Sequence, residues 1–196
     1  ALCKELILRK DEAINSELQT VYLGGGTPSI LSYDELQQLF HTIFTYYKVS
    51  PSAEITLEAN PDDFFRESSP QQILEQLRSL GINRLSIGVQ SFFEEDLQLM
   101  NRVHSVAQVE TLLQITPQYF DNITIDLIYG IPRMSKERWQ ENINKALSFD
   151  IPHISAYALT VEEKTALHKF IATGKIPPIN DEQAYTHFQI LIDTLE

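Results

Sequence analysis

Three polar side chains recur about one strand–helix unit apart along the 196-residue chain. Glu58, Gln90 and Asp126 each stand near the end of a β-rich run. We expect them at one level, because the carboxyl ends of parallel strands meet at one edge of a sheet. A buried carboxylate is costly unless a donor pairs with it. The three residues therefore indicate a ligand with donors, such as an amine or ribose hydroxyls, over the alternative of an internal network without a ligand.

Three consecutive glycines, Gly24–Gly26, follow the first β-rich run and lead into Thr27-Pro28-Ser29. Glycine lets the backbone approach a ligand closely and present its N–H and C=O groups. The segment is not a Walker A loop, because no Gly-Lys-Ser/Thr follows, and a dinucleotide fingerprint would need a third glycine at Ser29. Three glycines exceed what a tight turn before a helix needs, so a ligand loop is predicted.

The remaining polar residues give weaker signals. Arg102 can supply a guanidinium fork for a carboxylate, although an arginine there is by itself more often a surface charge. His104 and His153 lack the spacing of metal ligands. Cys3 is the chain's single cysteine. It excludes an internal disulfide or a cysteine-cluster metal site built by this chain alone, and it is interpreted as helix packing.

Five β-rich runs alternate with helical stretches, and this pattern predicts parallel strands with right-handed crossovers. The predicted strands are Thr20–Gly24, Glu54–Asn60, Arg84–Gln90, Asn122–Gly130 and His153–Thr160. The predicted helices are Leu2–Leu18, Tyr33–Tyr47, Pro70–Leu80, Glu94–Tyr119 (two helices broken near Arg102–Ser105), Ser135–Phe149, Lys164–Thr173 and Asp181–Glu196.

The strands alternate between apolar and polar positions. In the second run, Ile55 and Leu57 alternate with Thr56 and Glu58. A parallel sheet covered by helices on both faces would instead have near-continuous apolar strands. The alternation indicates an α/β barrel, or part of one, with a polar lumen that holds a ligand. An antiparallel sheet wetted on one side is the alternative, and the helical crossovers disfavour it.

The net charge of the chain limits the classes of partner that it is expected to bind. The chain has 27 acidic residues against 15 Lys and Arg, a net charge of −12. This argues against nucleic acid or an anionic membrane as the main partner. No apolar run approaches the roughly 18 residues of a spanning helix, and no signal peptide opens the chain, so a cytoplasmic protein is expected. A start at Ala1 and an uncapped helical pattern up to Glu196 suggest a piece of something longer.

An ordered set of six segments resembles the radical S-adenosylmethionine (SAM) enzymes of the oxygen-independent coproporphyrinogen III oxidase family. Single segments are weakly specific, whereas the set covers nearly the whole chain and leans towards the heme-chaperone (HemW-like) branch. The segments are Val21–Pro28, Leu57–Pro61, Ser86–Phe92, Asn101–Ser105, Ile125–Pro132 and His153–Thr160.

The resemblance implies a curved, partial (β/α)₆ radical SAM barrel over 1–160, here without its first strand and its C-terminal domain. It makes 161–196 a helical segment leading to that absent domain. It also implies SAM-binding roles, which agree with the donor and acceptor chemistry above. Gly24, Gly25, Thr27 and Glu58 would hold the methionine part, Gln90 and Asp126 the ribose hydroxyls, Arg102 the carboxylate, and Ile128 and Ala156 the adenosyl pocket.

The resemblance further implies a [4Fe–4S] cluster, and this chain lacks its three cysteines. No catalytic residue or metal ligand is therefore assigned, and the chain alone is expected to be inactive. The implied partners are heme or porphyrinogen, a flavodoxin or ferredoxin as electron donor, and heme-accepting proteins.

Three functions stay open. The first is a heme chaperone that binds SAM and the cluster, with heme as a further cofactor. The second is an oxidase that decarboxylates coproporphyrinogen III through a 5′-deoxyadenosyl radical. The third is an unrelated (β/α)-barrel lyase or isomerase.

Overall fold

The computed structural model describes residues 1–13, 16–66 and 68–196 and shows the predicted alternation of strands and helices. Five strands form one sheet in chain order, from β1 at one end to β5 at the other. They are β1 (Leu18–Leu23), β2 (Val49–Ala59), β3 (Arg84–Gln90), β4 (Asn122–Tyr129) and β5 (His153–Ala158).

In the described part of the chain, one α-helix precedes the sheet and seven more connect or follow the strands. They are α1 (Leu2–Arg9), α2 (Tyr33–Tyr46), α3 (Pro70–Ser79), α4 (Glu94–Leu99), α5 (Val106–Ile115), α6 (Lys136–Leu147), α7 (Ala166–Ala172) and α8 (Asp181–Leu195). Four short 3₁₀ helices accompany them at Lys10–Ala13, Pro28–Ile30, Pro61–Phe65 and Thr116–Gln118. The predicted break of the long fourth stretch near Arg102 is confirmed as the gap between α4 and α5. No helix among the described residues is long and apolar enough to cross a membrane.

The chain divides into two compact units, each with its own apolar core. The first unit comprises Ala1–Ser86 and Ile115–Ile123, and the second comprises Ile87–Gln114 and Thr124–Glu196. Fully or almost fully buried side chains fill both cores: Leu57, Phe64, Leu74 and Ile82 in the first unit, and Leu97, Leu112, Trp139 and Ile143 in the second.

In the first unit, β1 and β2 pair in parallel and separate apolar from polar side chains as predicted. Leu23 pairs with the buried Leu57, and Tyr22 pairs with Thr56. Directly paired residues project from the same face of a sheet. One face therefore carries the core, and the opposite face carries Tyr22 together with the polar side chains of β2.

Two predicted boundaries in this unit are wrong. The first helix ends at Arg9, and Leu18 begins β1 because its N–H donates to Lys48 O at 2.8 Å. Residues 14 and 15 of the predicted helix lie outside the described residues. Strand β2 begins at Val49, five residues before the predicted start. Pro51 lacks an N–H, and it is tolerated because the β1–β2 register shifts at this point, where a ladder bond is dispensable.

Serine caps fix several helix starts. The Ser32 hydroxyl accepts from Glu35 N, and the Glu35 carboxylate accepts from Ser32 N at 2.9 Å, so the predicted capping box of α2 is confirmed. Ser135 caps α6 by accepting from Arg138 N, which is also as predicted. Gly81 ends α3 with φ +92°, the left-handed conformation expected of a C′ glycine.

In the second unit, β4 and β5 pair in parallel and α8 docks on α6 through polar contacts. Asp126 pairs with Ser155, and Leu127 pairs with Ala156. The Trp139 indole N–H of α6 donates to His187 O at 2.7 Å. The segment 161–196 therefore belongs to the same compact unit as β4 and β5. The predicted domain boundary at residue 160 is not tested by this and stays a prediction.

Candidate functional site

Glu58 binds the glycine loop at the carboxyl end of β1. The amide N–H of Gly25 donates to Glu58 Oε2 at 3.0 Å, and the Tyr22 hydroxyl donates to Glu58 Oε1 at 2.6 Å. Each carboxylate oxygen has two lone pairs, so the half-buried group retains capacity to accept further hydrogen bonds. The sequence prediction that Glu58 and the glycine loop share a site is consistent with this geometry.

The glycines are needed for two different reasons. A Cβ at Gly24 would lie 2.8 Å from the Glu58 carboxyl carbon and would also overlap the Tyr22 ring. Gly25 and Gly26 have φ +78° and +76°, and a Cβ on either would meet nothing within 4 Å. Gly24 therefore permits a close approach, while the next two permit a left-handed backbone. The open space beside Gly25 and Gly26 leaves the loop accessible to a ligand.

Ser29 anchors the far end of the same loop. Its hydroxyl donates to Asp63 Oδ2 and accepts from Asn60 N at 3.3 Å. Asp63 is 6% exposed, and the Arg66 guanidinium lies 2.8 Å from its Oδ1. Arg66 compensates the charge of this buried carboxylate, although its geometry falls short of a hydrogen bond to Oδ1. Half-buried Thr27 lies between the two anchors and begins the short 3₁₀ helix.

Gln90 ends β3 in a strained backbone conformation. It is 7% exposed and has φ +67°, which is unusual for a residue other than glycine. Ser91 N donates to Val89 O at 2.9 Å and closes a three-residue γ-turn around Gln90. His104 Nε2 donates to the same Val89 carbonyl oxygen at 3.1 Å, so this buried histidine also stabilises the turn.

The pairing of β4 with β5 places three further predicted residues. Asp126 and Ile128 are half-buried and two positions apart, so they share one face of the sheet. Ala156 pairs with the buried Leu127 and therefore projects from the opposite face. A contact between Ala156 and a ligand on the Asp126 face would have to use its backbone.

Arg102 lies in the connection between α4 and α5 with an exposed side chain. Its amide N–H donates to Leu97 O at 2.8 Å, which ties the connection back to α4.

Within the first unit the structure brings together Gly24, Gly25 and Glu58, as the sequence suggests. Tyr22 was missed, although its polar-face parity with Glu58 is a usable signal. Ser29 and Asp63 were missed too. Their sequence separation of 34 residues gives no pattern that pairs them.

No group of three or more His, Cys, Asp or Glu side chains in the described part of the chain is arranged to hold a metal ion. Cys3 is half-buried on α1, with its sulfur 4.0 Å from Gln38 O. One thiol cannot supply the three thiolates that a SAM-binding [4Fe–4S] cluster requires, so the residues of this chain do not fit the cluster.

Comparison with known proteins decides the family. The sequence model described as the radical SAM superfamily matches residues 3–146. This chain belongs to the radical SAM superfamily. The match confirms the family and the fold expected from the sequence. Members of this superfamily generally use SAM and a [4Fe–4S] cluster.

Curated relatives and solved structures agree with this membership. The heme chaperone HemW of Bacillus subtilis is 35% identical over 100% of this chain and 51% of its own length. The mouse mitochondrial protein "radical S-adenosyl methionine domain-containing protein 1" is 32% identical over 88% of the chain and 38% of its own length. The chain thus spans about half the length of the curated relatives it matches, or less. The solved structure of the Escherichia coli coproporphyrinogen III oxidase HemN superposes with a TM-score of 0.85 at 26% identity, over 99% of this chain and 44% of that one.

The residues present fit SAM better than they fit the cluster. Glu58 offers a carboxylate to an ammonium group, and the loop at Gly25 and Gly26 offers open, left-handed backbone. Asp126 and Gln90 are the hydrogen-bonding types that hydroxyl groups require. This chain thus has residue types suited to SAM but lacks the thiolates that would hold the cluster.

Proposed function

We propose that this chain forms the SAM-binding part of a heme chaperone of the HemW kind. The observation that carries the proposal is the 35% identity to the Bacillus subtilis heme chaperone HemW over all of this chain. Heme and heme-accepting proteins would be the partners. The chain's Gly24–Glu58 arrangement supports the SAM site, while heme binding rests on the relatives alone. A cytoplasmic location stays a prediction.

The glycine loop and Glu58 would hold the methionine part of SAM. Glu58 would accept from the SAM ammonium group, and Gly24, Gly25 and Thr27 would contact the methionine chain. The existing bond from Gly25 N to Glu58 Oε2 supports this role because it makes loop and carboxylate one surface. A carboxylate already aligned by Tyr22 and Gly25 loses little freedom when the ligand binds.

The remaining groups of SAM are assigned to residues further along the chain. Gln90 and Asp126 would bind the ribose hydroxyls, and Arg102 would pair with the SAM carboxylate. Ile128 would contact the adenosyl group with its side chain, and Ala156 with its backbone. The shared face of Asp126 and Ile128 supports placing ribose and base next to each other.

Cluster chemistry is assigned to residues outside this chain. The [4Fe–4S] cluster supplies the electron for reductive cleavage of SAM when it is bound. In this proposal, the residues of this chain bind and orient SAM. The structure favours no particular electron donor, and a flavodoxin or ferredoxin remains the expectation.

The second candidate is an oxygen-independent coproporphyrinogen III oxidase. The observation in its favour is the superposition on HemN of Escherichia coli with a TM-score of 0.85. The sequence identity of 26% to that protein is lower than the 35% to the Bacillus subtilis heme chaperone. An unrelated barrel lyase or isomerase is excluded, because the chain belongs to the radical SAM superfamily.

Two assays on the intact, cluster-loaded protein separate the candidates. The first measures conversion of coproporphyrinogen III with SAM and a reductant. The second measures transfer of bound heme to an apo-protein acceptor, followed by the acceptor's absorption spectrum. We expect heme transfer without porphyrinogen conversion, and conversion at enzymic rates would overturn the chaperone proposal.

SAM binding is tested separately by titration calorimetry. Gln90→Ala and Asp126→Ala should each weaken SAM binding if the ribose assignment is correct. Unchanged affinity in both variants would refute that assignment while leaving the chaperone proposal to the heme assay.

A further inference from the structure

The γ-turn at Gln90 needs support from its surroundings. A non-glycine residue at φ +67° is strained, and such a conformation persists only where neighbouring contacts hold it. Gln90 belongs to the proposed ribose site, so the position of its amide depends on this turn. The support comes from α6, which is about 50 residues further along the chain.

Asn142 of α6 is the central contact of that support. It is fully buried, and its Oδ1 accepts from Phe92 N at 2.7 Å. The Ser91 hydroxyl lies 3.1 Å from the same oxygen and accepts from Phe93 N at 3.1 Å. Asn142 Nδ2 in turn donates to Arg138 O of its own helix at 3.2 Å. Asn142 therefore bonds Phe92 directly, and the Ser91 hydroxyl, which accepts from Phe93, shares its one proton between Asn142 Oδ1 and Asp96 Oδ2.

A charged pair completes the network. The Ser91 hydroxyl lies 2.7 Å from Asp96 Oδ2, and Arg138 Nη1 lies 3.3 Å from Asp96 Oδ1. The Arg138 guanidinium also lies 5.5 Å from the centre of the Phe93 ring. Burial raises the pKa of Asp96, although the Ser91 hydroxyl and Arg138 oppose that rise. Helix α6 thus holds the segment 91–96 by a neutral asparagine and by an arginine.

The side chains of Ser91 and Asn142 have no other evident role in the structure. Ser91 is 0% exposed and Asn142 is 0% exposed, so neither can touch a ligand directly. Burying polar side chains costs free energy unless their hydrogen bonds are satisfied, and here the satisfied bonds converge on the residues that follow Gln90.

We propose that Asn142 and Ser91 are positioning residues that hold Gln90 in its γ-turn and so fix the amide that binds the SAM ribose. The proposal rests on the proposed SAM site and adds two residues to it that do not contact SAM. It assigns α6 the task of setting the backbone at the end of β3. Asp96 holds the Ser91 hydroxyl, and Arg138 in turn pairs with Asp96.

A double-mutant cycle on the intact, cluster-loaded protein tests this proposal. Asn142→Ala should weaken SAM binding by about tenfold when Gln90 is present. In the Gln90→Ala background, the same substitution should change SAM affinity by less than about twofold, because the group it positions is gone. Equal losses in both backgrounds, or no loss when Gln90 is present, would overturn the proposal.

A control variant separates positioning from general destabilisation. Ile143 is the next residue on α6 and is also 0% exposed, but its side chain is apolar. Ile143→Ala should lower thermal stability without weakening SAM binding. If Asn142→Ala fails to fold, Ser91→Ala replaces it in the cycle, since it removes one oxygen from a site that accommodates the remaining methyl group.

Amide hydrogen exchange gives a readout that does not depend on SAM. The N–H of Ser91 closes the turn, so its exchange should accelerate more than about tenfold in Asn142→Ala and remain unchanged in Ile143→Ala. An unchanged rate in Asn142→Ala would overturn the positioning role. If instead Gln90→Ala binds SAM normally, the ribose assignment fails, and the exchange result alone then decides whether Asn142 holds the turn.

Discussion

At the scale of single residues, the Glu58 carboxylate accepts hydrogen bonds from one side chain and one backbone amide. It is also the group proposed to bind the ligand. Tyr22 and Gly25 already donate to it, and both donors lie at the carboxyl end of β1. This arrangement aligns the carboxylate before a ligand arrives. The Tyr22 ring and the Glu58 carboxyl group together leave no room for a Cβ at Gly24, which explains why that close neighbour has no side chain.

Glu58→Gln should weaken SAM binding by about 10- to 100-fold, because a hydrogen bond to a charged group is worth about 1.5–3 kcal/mol and the amide has lost the charge. Titration calorimetry on the intact protein measures the effect. The matched control is Glu54→Gln on the same strand and the same face, where the carboxylate instead contacts Asn122. Similar losses in both variants would mean that the charge of the face, and not the contact at Glu58, attracts the ligand.

The two kinds of glycine should respond differently to alanine. Gly26→Ala forces a left-handed alanine into open space, so it should cost about 1–2 kcal/mol of stability and little beyond that. Gly24→Ala should displace Glu58 and abolish detectable SAM binding with a smaller backbone penalty. Thermal denaturation and SAM titration of both variants check this, and a Gly24→Ala protein that still binds SAM normally would contradict the close-approach argument.

At the scale of elements, α8 is held against the second unit by buried polar groups. His187 is 0% exposed, and its Nδ1 accepts from Gly130 N at 3.2 Å. The Gln183 amide donates to Ile131 O at 3.1 Å in the same connection. Helix α8 therefore supports the backbone that follows β4, which carries Asp126 and Ile128.

The docking of α8 should weaken in mild acid. Burial, together with Lys136, lowers the pKa of His187 below its ordinary 6.5. The unfolded chain then takes up a proton below about pH 6.5 while the folded chain does not, so the free energy of unfolding should fall as the pH drops through that range. His187→Gln removes the titrating group, and its urea denaturation between pH 5 and 8 should lack this component. Parallel pH profiles for the variant and the unaltered protein would contradict the assignment.

At the scale of the whole molecule, the chain covers about half of the Bacillus subtilis heme chaperone HemW. The two cofactors of the superfamily, SAM and the [4Fe–4S] cluster, differ in how well the residues of this chain suit them. The residues that we assign to SAM follow one another along the chain from the end of β1 to β5, whereas its single cysteine cannot supply the three thiolates of the cluster.

Cys3→Ser should leave the iron and sulfide content of the intact protein unchanged. Cys3 lies on α1 near a backbone carbonyl and has no cysteine partner within this chain. Iron analysis and the visible absorption of the purified protein measure the outcome. A loss of the cluster in Cys3→Ser, with normal folding by circular dichroism, would show that α1 contributes a ligand after all.

Much of the fold follows from local pattern. The alternation of apolar and polar positions identified β3 at both ends, and Ser32 with Glu35 identified the start of α2, because both signals act over a few neighbouring residues. The early start of β2 did not follow, since proline is unusual inside a strand and only the pairing with β1 shows that no backbone N–H is needed at Pro51.

The sequence by itself determined which residue types could meet a ligand: Glu58 and the glycine loop by composition and spacing, and Gln90 and Asp126 by their places at strand ends. Only the tertiary structure decided how they are held. The strained turn at Gln90 is supported by Asn142 from a helix about 50 residues away, a pairing that no local period encodes. Hydrogen bonds between distant segments form only once packing has brought them together, and for that reason the supports of the site, unlike its ligand-facing groups, stay invisible in the sequence.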